Sequence, residues 1–483
     1  MRAFIHILFL VFVLASAGRL FAQDDYEKFL QKEQQDFNQF LEEEDRAFAD
    51  FLKKDWEEFK SMNGIVRDEK PKPVRIPAAK KEDKPKAKPQ KPLPKVEEIK
   101  TPPPKPKPKP KPKPLAAEKQ DALIFNYYGV DVVLDYKPDF KLNISQPVNN
   151  NVISAAWTSM GSSKYKKAVD QLKSYRSKLQ LNDWGYVLLA NKLAVKVFPG
   201  SQIKQNLFTW FLLVKSGYNA KAAYQKDKVY LLFPSKHMIY GTQYVTLKNV
   251  KYYFFTPPGT KFKLSGMVYT YQGTYKSADK PISMGFEKVP RLDDRDVQRK
   301  LDFAFKGKKH NLHIAYNKGV VNYLANYPQV ELNVYFEAPV SQGAAYSLIS
   351  RLKPFVQNKD EVEAVNFLLR FVQTSFEYQT DQQQFKIEKY LMPEETLHYP
   401  YSDCEDRSIL FAYLVRNLLN MDVVALNYPG HIATAVKFSG DVHGYQIVHN
   451  GNNYVVCDPT YINADAGMAM PQFKSVLPKV IQF

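Results

Sequence analysis

Between Asn63 and Gln120 the chain is written largely in Lys, Pro and Glu, and it closes on the run KPKPKPKPKP at 105–114. Proline fixes φ and donates no backbone hydrogen bond, so neither a helix nor a central strand continues through such a run. Alternating lysines repel one another and extend the chain further. Fifteen of the 32 prolines fall between Pro71 and Pro114. At about 3.1 Å per residue, a polyproline II segment of that length reaches on the order of 130 Å. The run therefore splits the chain into a short N-terminal portion and a long C-terminal one, and it predicts a disordered, semi-rigid spacer over 63–119.

The charge is distributed accordingly. The formal net charge is +18, of which 63–119 carries +11 and 120–483 carries +12, while 23–62 carries −7. Much of the basicity thus belongs to the spacer and is poor evidence for nucleic acid, and no nucleic-acid motif accompanies it. The composition of the spacer resembles the Lys-Pro spacers of bacterial proteins that reach across the periplasm. The first 22 residues have a basic start at Arg2, an apolar run from Ile5 to Ala15 and small residues at Ala15, Ser16 and Ala17, with a further cut site after Ala22. This is the pattern of a secretory signal, and the apolar run is too short to span a bilayer. The expectation is an exported protein, periplasmic or extracellular, with no transmembrane segment.

Residues 24–62 repeat every eleven. Tyr26, Phe37, Phe48 and Phe59 share one position, Phe29, Phe40 and Phe51 a second, and Leu30, Leu41 and Leu52 a third. An eleven-residue period is about 3.67 residues per turn, which places these side chains on one stripe of an amphipathic helix over 23–62. The stripe calls for self-association, a protein partner, or the body of the same protein.

From 120 onward helical and strand-like stretches alternate, so the fold class is α+β. Asn182 and Asp360 read as helix caps, strands dominate from 244 to 337, and VELNVYF at 330–336 reads as one of them. The chemistry concentrates in three places. In YSDCEDRSILFAYLVRNLL (401–419), Asp403 caps a helix whose first turn holds Cys404. A helix start stabilises a thiolate, whereas Asp403, Glu405 and Asp406 oppose it. YPGHIATAVKF (428–438) reads as a turn and a strand opening at His431, and NYVVCDPTY (453–461) as a strand ending at Asp458. Cys, His and Asp in that order form a nucleophile–base–orienter set. His443 and His449 compete with His431, and a Cys404–Cys457 disulfide competes with a free nucleophile. Two cysteines and no close-spaced ligand pair argue against zinc, and no glycine-rich phosphate loop occurs, so neither metal nor cofactor is expected.

At these residues the sequence resembles the transglutaminase-like superfamily of papain-related cysteine enzymes, and within it the bacterial branch with Asp-Cys-Glu-Asp at the nucleophile. The resemblance covers about 345–465 and implies a catalytic domain over 341–483. By it, Cys404 attacks a carbonyl to form a thioester, His431 shuttles the proton, Asp458 holds the imidazole, and the Cys404 N–H faces the oxyanion. Tyr378 and Tyr399 are candidates for a second donor. The animal cross-linking enzymes have Trp after the nucleophile where this chain has Glu405, which favours hydrolysis of a protein or peptide substrate over cross-linking.

Residues 201–224 can also be laid on 404–427 without a gap, which sets Ser201, Lys228 and Thr256 on Cys404, His431 and Asp458. The expectation is a degenerate copy of the same fold over 120–258, a strand-rich connector over 259–340, and a Ser201 whose hydroxyl caps a helix. A non-enzymatic periplasmic binding or scaffold protein on this fold is the alternative to an exported cysteine peptidase or amidase.

Overall fold

The computed structural model describes residues 42–67, 72–73, 75–80, 122–135, 140–260, 262–293 and 295–483. The expectations for 1–22, for 23–41 and for the KPKPKPKPKP run lie outside the described residues. Helix α1 (42–52) carries Phe48 and Leu52, both buried. Phe48 meets the Trp157 ring edge-on at 4.8 Å and the Tyr275 ring at 5.4 Å. This part of the aromatic stripe is therefore covered by the protein's own body. The helix does not run on to Phe59 as the period implies. The Trp56 indole donates to the Leu52 carbonyl at 2.6 Å and closes the helix end. The chain then forms β1 (Glu57–Lys60) instead. Residues 63–67 and 75–80 also depart from a solvated spacer. Ile65 bridges to Tyr240, Ala78 bridges to Ile462, and Ile76 and Ala79 pack on Tyr461 and Met468. Apolar residues among the first lysines and prolines have a body to pack on.

The hairpin β2 (Leu123–Tyr127) and β3 (Val130–Leu134) leads into helices α2 (Asn150–Gly161), α3 (Tyr165–Lys178), α4 (Asp183–Val197) and α5 (Gln202–Lys215). Strands β4 (Lys221–Gln225), β5 (Lys228–Pro234), β6 (Tyr244–Leu247), β7 (Val250–Phe254) and β8 (Met267–Thr270) follow. They form an antiparallel sheet with β1, in the order β1-β8-β4-β5-β7-β6. The long hairpin β9 (Asp296–Phe305) and β10 (Lys308–Asn317) comes next, then the short helices α6 (Lys318–Leu324) and α7 (Leu332–Phe336). The VELNVYF stretch is thus helical where a strand was expected. Val334, Tyr335 and Phe336 are buried consecutively, which a strand with alternating faces cannot provide.

Helices α8 (Gln342–Val356) and α9 (Glu361–Ser375) pack on the β9–β10 hairpin. Beyond them lie β11 (Glu377–Tyr378), α10 (Asp381–Gln384), α11 (Pro393–His398), β12 (Tyr401–Ser402) and α12 (Cys404–Leu414). The second sheet is built from β13 (Val423–Tyr428), β14 (His431–Val436), β15 (Gln446–His449), β16 (Asn452–Cys457) and β17 (Lys479–Ile481), in the order β15-β16-β14-β13-β17. The whole is α+β, and one hydrophobic cluster runs from Phe48 to Ala466 through both halves. Among the described residues no helix is long and apolar enough to cross a membrane.

The two sheets share an order. Read from β8 and from β17, each runs last strand, first hairpin strand, second hairpin strand, fourth strand, third strand, with β1 added beyond β8 in the first sheet alone. Their registers agree as well. Gln225 faces Lys228 where Tyr428 faces His431, and Leu232 faces Phe254 where Ala435 faces Val456. A helix tethers to the same strand carbonyl in each half. Asn206 Nδ2 donates to Val229 O at 2.8 Å, and Ser408 Oγ donates to Ile432 O at 3.0 Å.

Ser201 stands at the start of α5, but its hydroxyl makes no cap hydrogen bond. The Gln205 side chain instead reaches the Phe198 carbonyl at 2.8 Å, across the helix start. Asp360 does cap α9, accepting from the Glu363 N–H at 2.7 Å. Ser201→Ala is therefore expected to shift unfolding by no more than about 0.5 kcal/mol, whereas Asp360→Ala costs about 1 kcal/mol. Urea unfolding of both variants checks this, and a loss at Ser201 matching that at Asp360 would contradict it.

Candidate active site

Cys404 is the first residue of α12, His431 the first of β14, and Asp458 the residue after β16. The local sequence explains each placement. Asp406 Oδ2 accepts from the Asp403 N–H at 3.2 Å and its Oδ1 from the Leu391 N–H at 2.8 Å, which fixes the start of α12. The Pro429-Gly430 turn joins β13 to β14, with Gly430 at φ +75°, a conformation glycine adopts without steric cost. It brings His431 opposite Tyr428. Pairing of Thr434 with Cys457 then carries Asp458 to the same end of the sheet.

There the imidazole Nε2 lies 2.8 Å from Asp458 Oδ2. The other carboxylate oxygen accepts from the Thr460 and Tyr461 N–H groups at 2.9 and 3.2 Å. Gln373 Nε2 donates to the Asp458 carbonyl at 3.1 Å. A carboxylate oxygen accepts, so Nε2 is the nitrogen that donates to Asp458, and Nδ1 is the one left out of that bond. Nδ1 is buried and without a partner. Phe473 lies flat on the ring, with centroids 4.9 Å apart. Cys404 sits one helical turn before Ser408, on the same face, and Ser408 is bonded to the carbonyl next to His431. The nucleophile candidate and the base candidate thus belong to adjoining elements.

Both cysteines are free and buried, so the disulfide alternative does not form. His443 is exposed, and His449 pairs weakly with Gln482 at 3.4 Å on the far edge strand. Of the two tyrosines, Tyr378 donates its hydroxyl to the Pro73 carbonyl at 2.8 Å, and Tyr399 packs against Phe385 and His398.

The thiol itself is held neutral. Cys404 Sγ donates to Glu405 Oε2 at 2.9 Å. Burial pushes the thiol well above its ordinary range, and the charges of Glu405 and Asp403 push it further. The Lys72 ammonium pulls the other way.

Lys72 is the site residue that the sequence hid. Its Nζ lies 2.7 Å from Asp403, 2.9 Å from Glu405, 2.9 Å from Glu388 and 3.4 Å from Asp381. Burial alone would raise Glu405, but the Lys72 charge together with hydrogen bonds from Asp403, Cys404 and Lys72 outweighs it and holds that carboxyl at about 2. Asp381 goes the other way, pushed up to about 9 by burial and by the negative Asp403. Burial raises Asp403 and Asp406 as well. Asp381, Asp403 and Asp406 bring oxygens within 4.8 Å of one another, and Asp403, Cys404 and Glu405 bring two oxygens and a sulfur equally close. This donor set suits a cation, and the cation that meets it is an ammonium. The only available signal was the Asp-Cys-Glu-Asp cluster, which demands a positive partner. Nothing distinguishes Lys72 from the other Lys-Pro lysines.

No family model, no curated protein and no solved structure matches this chain.

The raised Asp381 gives a signed pH dependence. From about pH 4 to about pH 9 the folded chain holds a proton on Asp381 that the unfolded chain has released. Stability falls as pH rises through that window. Asp381→Asn removes the term. The variant is expected to exceed the parent in stability by about 1 kcal/mol or more at pH 8, with the gap closing toward pH 4. Thermal unfolding at pH 4, 6 and 8 measures it, and a gap independent of pH refutes the assignment.

Proposed function

We propose that the chain is an exported cysteine hydrolase cleaving peptide or amide bonds through Cys404, His431 and Asp458, on a transglutaminase-like, papain-related fold. The reading is carried by the buried His431–Asp458 pair at 2.8 Å, placed beside a helix that begins at Cys404. The shared strand order and register support the companion reading, in which 120–258 is a degenerate copy holding Ser201, Lys228 and Thr256 at the three positions.

In the reaction, His431 Nδ1 takes the thiol proton and the sulfur attacks the substrate carbonyl carbon. The oxyanion gathers negative charge against the Cys404 N–H at the helix start. Collapse breaks the C–N bond, and the leaving amine takes the proton from Nδ1. Water, deprotonated by the same nitrogen, then opens the thioester and releases the acid. Asp458 keeps the proton on Nε2 throughout and stabilises the imidazolium. Glu405 beside the nucleophile supports hydrolysis over cross-linking.

A scaffold reading draws on one observation, the thiol donated to Glu405 rather than to an imidazole. Turnover of a panel of peptide amides, followed by mass spectrometry, separates the two. Cys404→Ala is expected to abolish cleavage with an unchanged melting profile. Asp458→Ala is expected to be roughly two orders of magnitude less damaging, since nucleophile and base remain. Full activity in Cys404→Ala would end the hydrolase reading, and selective alkylation of Cys404 over Cys457, lost in His431→Ala, would strengthen it.

A further inference from the structure

Four carboxylates converge on one point beside Cys404. Asp381, Asp403 and Glu405 are buried, and Glu388 closes the cleft from the partly exposed side. Their oxygens lie between 2.7 and 3.4 Å from a single atom, Lys72 Nζ, whose side chain is 11% exposed. A second contact of the same segment reaches the site independently, since the Pro73 carbonyl accepts from the Tyr378 hydroxyl at 2.8 Å. A cation in an acidic cleft and a peptide carbonyl on a hydroxyl donor, on adjacent residues, are the contacts a bound peptide makes.

The shape of the cluster discriminates between cations. An ammonium is a compact charge with three donors, and carboxylates can approach it from several sides at once. A guanidinium is planar and spreads its donors along a fork, which matches one carboxylate side-on rather than four around a point. Uncompensated buried carboxylates are also costly, so the cleft cannot empty without another cation or proton arriving. A ligand that displaces Lys72 without a proton being taken up must bring a positive charge.

We propose that this cleft is a recognition subsite for a lysine-type primary ammonium on a peptide ligand, occupied in the resting protein by the chain's own Lys72. The proposal deepens the hydrolase reading, because it names the residue class that sits next to the reacting carbonyl. Lys72 then acts as an internal competitor, and a ligand gains the site by exchanging one ammonium for another.

The test is direct binding to the full chain, which does not depend on turnover. Acetyl-Lys-Pro-amide is titrated by calorimetry into Lys72→Ala and Lys72→Gln, with the norleucine and arginine analogues as controls. The lysine peptide is expected to bind both variants at least tenfold more tightly than it binds the parent chain. The norleucine analogue should not bind measurably, and the arginine analogue should be at least tenfold weaker. Adding Glu405→Gln, which removes an ionised partner of the ammonium, should weaken the lysine peptide about tenfold.

Equal binding of lysine and norleucine peptides, equal binding of lysine and arginine peptides, or no binding to either variant overturns the proposal. If neither variant folds, the parent chain decides. A large excess of the lysine peptide, but not of the norleucine one, should then speed deuterium exchange at the Ala79 amide, which donates to Ile462 O at 2.8 Å. Unchanged exchange there overturns the proposal. Ammonium-dependent binding without cleavage of any lysine peptide would remove the hydrolase reading and leave the subsite. Cleavage abolished by Cys404→Ala but indifferent to lysine would remove the subsite alone.

Discussion

The ammonium of Lys72 is the charge on which the Cys404 end of this molecule depends. Three buried carboxylates and a fourth at the rim surround the start of α12. The unpaired N–H groups of a helix start compensate only part of that charge. Removing one partner from a buried ionic cluster typically costs about 3–5 kcal/mol, because the remaining charges are left without compensation. Segment 72–73 is thus bound by a local electrostatic demand. The same field acts on the thiol, which burial and then the carboxylates hold protonated and the ammonium draws toward ionisation. Exchanging that ammonium for another cation preserves the balance, whereas losing it shifts every group in the cleft.

Comparison of the two halves shows how much of this comes from the scaffold. The strand order and register recur, yet the charge at the helix start does not. The first half has Ser201 before α5, with Gln202 and Lys204 in its first turn and no acidic residue there. Lys228 is exposed at the start of β5, where His431 is buried at the start of β14. The turns differ correspondingly, with Lys226 at φ +50° in one and Gly430 at φ +75° in the other. A helix start laid against an antiparallel sheet therefore recurs in both halves, while the residues at the helix start and at the strand opening differ in charge and burial.

Much of the second half could be read from residues. Helix caps at Asn182 and Asp360 are local signals, and both side chains accept the expected backbone N–H. The order Cys404, His431, Asp458 on a helix start and two strands was legible because hairpin pairing follows from Pro429-Gly430 and alternating apolar residues. The failures share one cause. Phe59, Val334 and Ile65 each sit in patterns whose local meaning is clear, and each obeys a distant surface instead: the edge of the first sheet, the core beneath α7, or Tyr240. Lys72 was invisible for the same reason. A lysine between prolines reads as solvated until four carboxylates from other segments are placed around it.

Tethering sets the terms on which the cleft can be used. Arg67 stacks its guanidinium 3.6 Å from the centre of the Tyr390 ring, and Ile76 packs on the cluster around Tyr461. These anchors lie on either side of Lys72 in the chain, so its ammonium cannot diffuse away when it leaves the carboxylates. For a ligand tethered this closely in sequence the effective concentration is on the order of millimolar. A small free amine competes poorly against that value, because its affinity comes from one charge alone. A peptide that adds a carbonyl contact at Tyr378 and contacts further along the cleft competes on better terms, since its gains accumulate while the cost of immobilisation is met once. Selectivity here thus arises from two demands on one ligand, a primary ammonium to satisfy the carboxylates and enough chain to displace a segment anchored at both ends.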